Sequence, residues 1–239
     1  MAVFLLVHGS WHGAWCWERL RPRLEERGHH VRAIDLPAHG EDPTPAWRAT
    51  AGGYSAAIRD AASACDDKPI VVGHSMGGLA ITRAASDDPA LFAELVYLCA
   101  FVPLGWIALP RLVRGDRESL VRTGLQARFR GAVIRSDRAR SIFYGDCSDA
   151  DAAWAIERLC PDPWVSVPGM LRRRRIGLPT TYIECTRDCA ISIGLQRTMA
   201  ARAGIHKTMT LETDHSPFLS APAELAERLD DIARGRLGD

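Results

Sequence analysis

The sequence has little lysine, little net charge and no long hydrophobic run. The low net charge and the missing apolar run each exclude a class of function. Only two of the 30 basic residues are lysine, and the net charge of +1 predicts no polyanionic partner and no nucleic-acid binding. No apolar run approaches the roughly 18 residues of a membrane span. The first ten residues, MAVFLLVHGS, lack the basic region and the cleavage site of a signal peptide. We therefore expect no membrane association and no export.

Cysteine pairs and cofactor motifs are missing as well. The seven cysteines form an odd set without a C-x-x-C pair, which favours reduced thiols over a disulfide framework and predicts a cytoplasmic protein. The sequence contains no motif for a metal, a nucleotide or a redox group. We expect chemistry that needs no cofactor and no metal.

Apolar runs alternate with helical patterns along most of the chain. The segments AVFLLV (2–7) and KPIVVGHS (68–75) are typical of strands buried on both faces, and the residues between such runs have helical spacing. This alternation predicts an α/β fold with a doubly wound, mostly parallel sheet. A chain of 239 residues suits one large domain.

The alternation lapses between residues 104 and 177. This arginine-rich stretch offers two or three helical segments and no clear buried strand. We expect a small helical cap insertion at 104–177 within a core formed by residues 1–103 and 178–239. The run from Arg172 to Arg175 favours a solvated helix face over a site for an acidic substrate or carrier protein, although the sequence leaves its role open.

The segment GHSMG (73–77) is the strongest chemical motif. It fits G-x-S-x-G and lies between an apolar strand and a helix of small residues, as a nucleophile turn requires. The flanking glycines permit a strained turn that exposes the Ser75 hydroxyl. The alternative is a glycine-rich helix start, in which Ser75 is only a polar turn residue.

A nucleophilic serine needs a base and an orienting acid, because its hydroxyl is a poor nucleophile at neutral pH. His215 lies between a short strand and the terminal helix, where a late loop can reach the sheet edge. Asp188 directly follows an apolar strand. Asp214 is close in sequence to His215, and Asp35 precedes the serine, so both are weaker choices for the acid. A solvated loop position is the alternative for Asp188.

Attack on a carbonyl also needs backbone N–H donors for the developing oxyanion. Met76 follows the nucleophile at the head of a helix and offers one N–H group. The loop after the first strand offers a second through Ser10. An ordinary loop after a strand is the alternative.

These segments resemble the α/β-hydrolase superfamily, and within it the group of plant methylesterases, hydroxynitrile lyases and bacterial esterase relatives. The resemblance rests on FLLVHGSWHGAWCWERLRPRLEERGHHVRAIDLPAHGEDP, VVGHSMGGLA, VYLCAFVP, YIECTRDCAI and TDHSPFLSAPAELAERL, and it spans nearly the whole chain. It implies a triad of Ser75, Asp188 and His215 in the chain order of that fold. It also implies that the backbone N–H groups of Ser10 and Met76 form the oxyanion hole.

The resemblance also distinguishes two activities. Hydroxynitrile lyases of the group have a threonine where this chain has Gly9, and a lysine after the histidine where this chain has Ser216. A serine hydroxyl cannot replace the positive charge that holds a departing cyanide. Cyanide release is therefore not expected.

The implied function is a serine hydrolase for small hydrophobic or aromatic carboxylic esters, with methyl esters included. The alternatives are thioesterase or cyclase-type acyl transfer on a biosynthetic intermediate and a ligand-binding homologue without turnover. We expect a small-molecule ester as the partner and leave a homodimer open. Aromatic side chains of the cap and loops are candidates for the substrate pocket, with packing inside the cap as the alternative: Trp11, Phe101, Trp106, Trp154 and Trp164.

Overall fold

The centre of the protein is a parallel sheet. The structure is a computed structural model that describes residues 1–129, 131–163, 170 and 176–235. The strands of the main sheet are β1 (Val3–Val7), β2 (His30–Ile34), β3 (Ile70–His74), β4 (Glu94–Leu98), β8 (Thr180–Cys185) and β9 (Lys207–Leu211). They pair in the order β2-β1-β3-β4-β8-β9, and every pair is parallel. The predicted doubly wound parallel sheet is therefore confirmed.

The continuous apolar runs form the middle strands because both faces of the sheet are covered. All five residues of β1 are buried, and so are all five of β3. Successive side chains point to opposite faces. Phe4 and Leu6 of β1 belong to one hydrophobic cluster, whereas Leu5 and Val7 belong to a second one. The sheet thus separates two apolar layers.

Helices supply both covering layers. Those that cover the main sheet are α1 (Arg21–Glu25), α2 (Ala51–Ser63), α3 (Gly77–Asp87), α8 (Ile193–Ala203), α9 (Pro217–Ser220) and α10 (Pro222–Ala233). Their ends follow local rules. Thr50 and Ser192 cap α2 and α8 by accepting backbone N–H bonds from Gly53 and Leu195. Gly204, with φ of 74°, ends α8 in the left-handed conformation.

The stretch from 104 to 177 contains helices and a second, smaller sheet among its described residues. The helices are α4 (Ala108–Gly115), α5 (Val121–Gly124), α6 (Ser136–Phe143) and α7 (Asp149–Glu157). The strands β5 (Leu125–Arg128), β6 (Gly131–Ile134) and β7 (Asp162–Pro163) pair antiparallel in that order. The described residues hold four helices where the sequence predicted two or three, and the mostly buried strand β6 corrects the expectation of no buried strand. Four residues are too few for a periodic signal.

The strand order reverses at β1, and this reversal brings two loops together at the carboxyl edge of the sheet. Strand β2 lies on one side of β1 and β3 lies on the other. Val7 of β1 pairs with Gly73 of β3, so both strands end at the same level of the sheet. The loop after β1 therefore lies beside the turn after β3, where open α/β sheets bind ligands.

Some sequence expectations concern parts of the chain away from this edge. Trp164 and the run from Arg172 to Arg175 lie outside the described residues. None of the described helices combines the length and apolarity needed to cross a bilayer. All seven cysteines are free thiols.

Candidate active site

Ser75 lies in a strained turn between β3 and α3. Its φ is 52°, in the left-handed region that few residues other than glycine adopt. A Cβ at Gly77 would lie 2.6 Å from the carbonyl oxygen of His8, and one at Gly73 would lie 2.8 Å from the Gly77 carbonyl oxygen. The two glycines are therefore required by close backbone approach, as G-x-S-x-G predicts. The Ser75 carbonyl accepts an N–H bond from Phe101 at 3.0 Å, which fixes the turn.

His215 and Asp188 form a buried pair on two loops at the same edge. Nδ1 of His215 donates to Oδ2 of Asp188 at 2.7 Å. Oδ1 of Asp188 accepts the backbone N–H groups of Ala190 and Ile191 at 2.7 and 2.8 Å. These bonds fix the Asp188 carboxylate beside the His215 ring. The bond at Nδ1 leaves Nε2 as the basic nitrogen of the His215 ring.

His74 connects the serine turn to the histidine loop. Its Nε2 donates to the carbonyl oxygen of His215 at 2.9 Å, and the two ring centroids are 4.6 Å apart. Since Ser75 follows His74 directly, the turn that carries Ser75 lies beside the loop that carries His215, whose ring is bonded to Asp188. Burial, and then the proximity of His215, lower the pKa of His74 well below its usual value. His74 is therefore a neutral donor at physiological pH.

The loop after β1 runs directly over Ser75. A Cβ at Gly9 would lie 2.7 Å from the Ser75 Cβ. His8 holds this loop, because its Nδ1 donates to the Gly9 carbonyl at 2.8 Å and its Nε2 accepts the Leu36 N–H at 3.0 Å. Burial, and then the charge of the nearby His39, lower the pKa of His8 and keep it neutral.

Two backbone N–H groups are available beside Ser75. Met76 precedes the first residue of α3, where the helix leaves its N–H groups without internal partners. Ser10 follows Gly9 in the loop over the serine. Within the part of the chain that the structure describes, neither N–H group donates to another protein atom. An oxyanion role for the N–H groups of Ser10 and Met76 stays a prediction.

Known proteins share this fold. A family model described as the alpha/beta hydrolase family matches residues 4–228. The chain belongs to this family. This hydrolase is 42% identical to Methylesterase 1 of Arabidopsis thaliana over 96% of this chain and 95% of that protein. It is 30% identical to Pyrethroid hydrolase of Sphingobium wenxiniae over 96% of this chain and 86% of that protein.

Solved structures agree on the fold. The crystal structure of a methylesterase from Arabidopsis, MES16, superimposes with a TM-score of 0.84 at 24% identity, covering 98% of this chain and 100% of that one. At this level of identity the likeness concerns the fold alone. The resemblance predicted from the sequence motifs of this hydrolase is confirmed.

Gln196 is a site residue that the sequence did not reveal. This fully buried side chain on α8 donates from Nε2 to Oδ2 of Asp188 at 3.1 Å and to the carbonyl oxygens of Cys185 and Ile191. Its Oε1 accepts the Cys185 N–H at 3.0 Å. Gln196 thus joins strand β8 to the loop that carries Asp188. No local sequence pattern marks such a contact.

The two competing carboxylates have other partners in this hydrolase. Asp35 accepts the N–H groups of Ala14 and Glu41. Asp214 accepts the N–H groups of Ser216 and Asp146, as well as the Ser220 hydroxyl. Each carboxylate fixes a loop, so Asp188 is the carboxylate that contacts the His215 ring.

The predicted pocket aromatics lie in different places. Trp11 is half-buried, and its ring lies 5.7 Å from Phe143, which in turn lies 5.7 Å from the His215 ring. Phe101 contacts the Ser75 carbonyl through its N–H group. Phe143 is a buried neighbour of the site that the sequence did not single out.

Among the described residues, Trp154 and Trp106 make no ring contact with Ser75, His215 or Asp188. Trp154 packs edge-on against Trp15 at 5.3 Å, and the Arg158 guanidinium lies over its ring at 4.5 Å. Trp106 is 55% exposed. A pocket role for either stays a prediction. The contact with Trp15 joins Trp154 to the 3-10 turn Ala14–Trp17, outside the 104–177 segment.

Proposed function

We propose that this hydrolase cleaves small hydrophobic or aromatic carboxylic esters, methyl esters included, through an acyl-enzyme on Ser75. The observation that carries the proposal is the 2.7 Å bond from His215 to Asp188 beside the strained Ser75 turn. Relatives named methylesterase and pyrethroid hydrolase support the class of carboxylic ester hydrolases.

The first half of the reaction forms the acyl-enzyme. Ser75 Oγ attacks the ester carbonyl carbon while Nε2 of His215 accepts the hydroxyl proton. Asp188 holds the ring through Nδ1 and stabilises the imidazolium. The N–H groups of Ser10 and Met76 bind the oxyanion of the tetrahedral intermediate. His215 then gives its proton to the departing alkoxide, which leaves as the alcohol.

The second half uses water in place of the serine. His215 removes a proton from a water molecule that attacks the acyl carbonyl, and the same two N–H groups stabilise the second oxyanion. Collapse of this intermediate returns the proton to Ser75 Oγ and releases the carboxylic acid. Every step uses side chains and backbone groups of this chain, so the reaction requires no metal or cofactor.

Aromatic side chains beside the triad support an apolar substrate. Phe143 contacts the His215 ring, and Trp11 contacts Phe143. Trp11 belongs to the loop over Ser75, and Phe143 is the last residue of α6. An apolar wall of this kind favours an aromatic or branched acyl group over a charged one.

We further infer that residues 104–177 act as a cap over this wall. We also infer that the protein works in the cytoplasm.

A substrate panel with a matched variant tests the proposal. The purified protein is assayed with p-nitrophenyl, methyl and thioester derivatives of one aromatic acid, beside Ser75→Ala. We expect hydrolysis of the oxygen esters to exceed that of the thioester and to fall to background in Ser75→Ala. Preference for the thioester would favour acyl transfer on a biosynthetic intermediate. Ligand binding without any turnover would favour the non-catalytic homologue. In a separate assay, cleavage of mandelonitrile above background would show lyase activity, which we do not expect.

A further inference from the structure

The loop after β1 is bound to the 104–177 segment at three separate points. Nε1 of Trp11 donates to the carbonyl of Ala132 in β6 at 3.1 Å. The N–H group of Cys160 donates to the Trp11 carbonyl at 2.9 Å. Nε2 of His12 lies 2.8 Å from the Tyr144 hydroxyl at the end of α6. A loop that carries an oxyanion donor is thus fastened to the segment proposed to cover the substrate.

His12 is the side chain that connects this segment to Ser10. Its Nδ1 lies 2.8 Å from the Ser10 carbonyl oxygen, so Nδ1 carries the proton and donates. Nε2 of the same neutral ring must then accept, and the Tyr144 hydroxyl donates to it. Two hydrogen bonds in sequence therefore run from Tyr144 through His12 to the backbone of Ser10.

The surroundings keep this pair in one protonation state. His12 is 1% exposed, and burial lowers its pKa to about 3. Burial also raises the pKa of Tyr144 well above its usual value, so the hydroxyl keeps its proton. The His12 ring lies in edge contact with Phe143, His74 and Phe218, which restrict its rotation.

His8 and His12 together hold the two peptide groups that flank Ser10. His8 binds the Gly9 carbonyl, which belongs to the same peptide plane as the Ser10 N–H group. His12 binds the Ser10 carbonyl on the other side. With both planes fixed, the direction of the Ser10 N–H group is set by the two histidines.

We propose that His12 and Tyr144 are positioning residues for the oxyanion donor Ser10, and that they couple the placement of this donor to the 104–177 segment. The proposal rests on the proposed function, in which the Ser10 N–H group binds the oxyanion. Neither side chain touches the reacting atoms. Their loss changes the alignment of one donor, so the effect falls on the transition state and spares substrate binding.

Variants of the two residues separate positioning from packing. Tyr144→Phe keeps the ring and removes the hydroxyl. In His12→Asn the amide takes the place of Nδ1 and still donates to the Ser10 carbonyl. In His12→Gln the amide lies near the position of Nε2, and the bond to Ser10 is lost.

We expect Tyr144→Phe and His12→Asn to lower kcat by about tenfold, with KM within about twofold of the wild-type value. This loss is smaller than the roughly 10² to 10³ in rate that is lost when an oxyanion donor is removed outright. We expect His12→Gln to lower kcat further.

The double variant and an inhibitor make the test specific. Since Tyr144 acts through His12, Tyr144→Phe added to His12→Ala should cause no further loss of kcat. The Ki of an aryl boronic acid, whose adduct with Ser75 occupies the oxyanion hole, should rise by the same factor as kcat/KM falls. Tyr97→Phe is the matched control, because it removes a buried hydroxyl bonded to Thr82 without touching the loop over Ser75.

The outcomes separate this inference from the proposed function. Unchanged kcat and Ki in folded Tyr144→Phe, with hydrolysis still dependent on Ser75, would overturn the positioning role and leave the esterase function intact. Equal losses in His12→Asn and His12→Gln would likewise contradict it, since packing alone would then account for both. Absence of any Ser75-dependent hydrolysis would overturn both proposals.

Discussion

Mild acid should destabilise this protein, because three of its buried histidines cannot accept a proton while folded. His8, His12 and His74 are each at most 1% exposed, and burial lowers all three pKa values, that of His12 to about 3. In each ring one nitrogen already donates to a backbone carbonyl. The other nitrogen accepts a hydrogen bond in His8 and His12 and is buried without a partner in His74. Protonation would therefore place an unpaired charge in the interior, which is costly.

The sign of the pH effect follows from the proton balance. In the unfolded chain these rings regain a pKa near 6.5, so above that pH neither state is protonated and the full stability is present. As the pH falls below 6.5, the unfolded state binds up to three protons that the folded state does not, and the free energy of unfolding falls. At about pH 5.5 the loss is about 4 kcal/mol for the three rings together, against a typical total of about 5 to 15 kcal/mol.

Urea unfolding at about pH 7.5 and pH 5.5, followed by tryptophan fluorescence, measures this loss. Replacing one ring by an amide, as in His12→Asn, should reduce the difference between the two pH values by about a third, because one titrating group is gone. A wild-type loss below about 1 kcal/mol, or an identical loss in His12→Asn, would refute the reasoning that burial keeps these rings neutral.

Two further predictions concern residues around the triad. Gly9→Ala places a Cβ 2.7 Å from the Ser75 Cβ, so we expect folded protein by circular dichroism with hydrolysis lowered at least about 100-fold; near-normal turnover would show that the loop does not lie over Ser75. Gln196→Leu leaves the Cys185 N–H and the Ile191 carbonyl without their partner and removes a donor to Asp188. We expect Gln196→Leu to lower the free energy of unfolding in urea by about 2 to 4 kcal/mol and kcat by about tenfold. A loss of unfolding free energy below about 1 kcal/mol would contradict the stabilising role of the Gln196 hydrogen bonds.

Residues with a local signature were predictable from the sequence. A strand buried on both faces is a continuous apolar run, and β1 and β3 are both of this kind. Gly73 is needed because of the Gly77 carbonyl within the motif, whereas Gly77 is needed because the backbone of His8 comes close to it. The motif marks both positions. Asp188 and His215 each follow a strand of the sheet, and parallel strands bring their carboxyl ends to one edge.

Residues that act through specific side-chain contacts were not predictable. Gln196 bonds to Asp188 eight positions away, and His12 bonds to Tyr144 across 132 positions of the chain. Such pairs have no period and no composition bias that a single sequence could display. The short strands β5 to β7 share this difficulty, since each spans at most four residues.

One predicted helix illustrates how local chemistry modifies a pattern. In the sequence, Trp17, Leu20 and Leu24 have helical spacing, which predicts a helix that ends at Gly28. The structure has a 3-10 turn at Ala14–Trp17 and a separate helix, α1, with Pro22 in its first turn. Proline lacks an N–H group and fits only the start of a helix, so the helix begins anew there. The three apolar residues are nevertheless all buried.

The central claim is that Ser75 is a nucleophile activated by His215, and covalent labelling tests it most directly. The native protein is treated with a fluorophosphonate, and intact mass and peptide mapping identify the adduct and its rate of formation. We expect one adduct, on Ser75, with the rate lowered at least about 100-fold in His215→Ala. An unlabelled native protein, an adduct on another residue, or a rate that does not depend on His215 would contradict the claim.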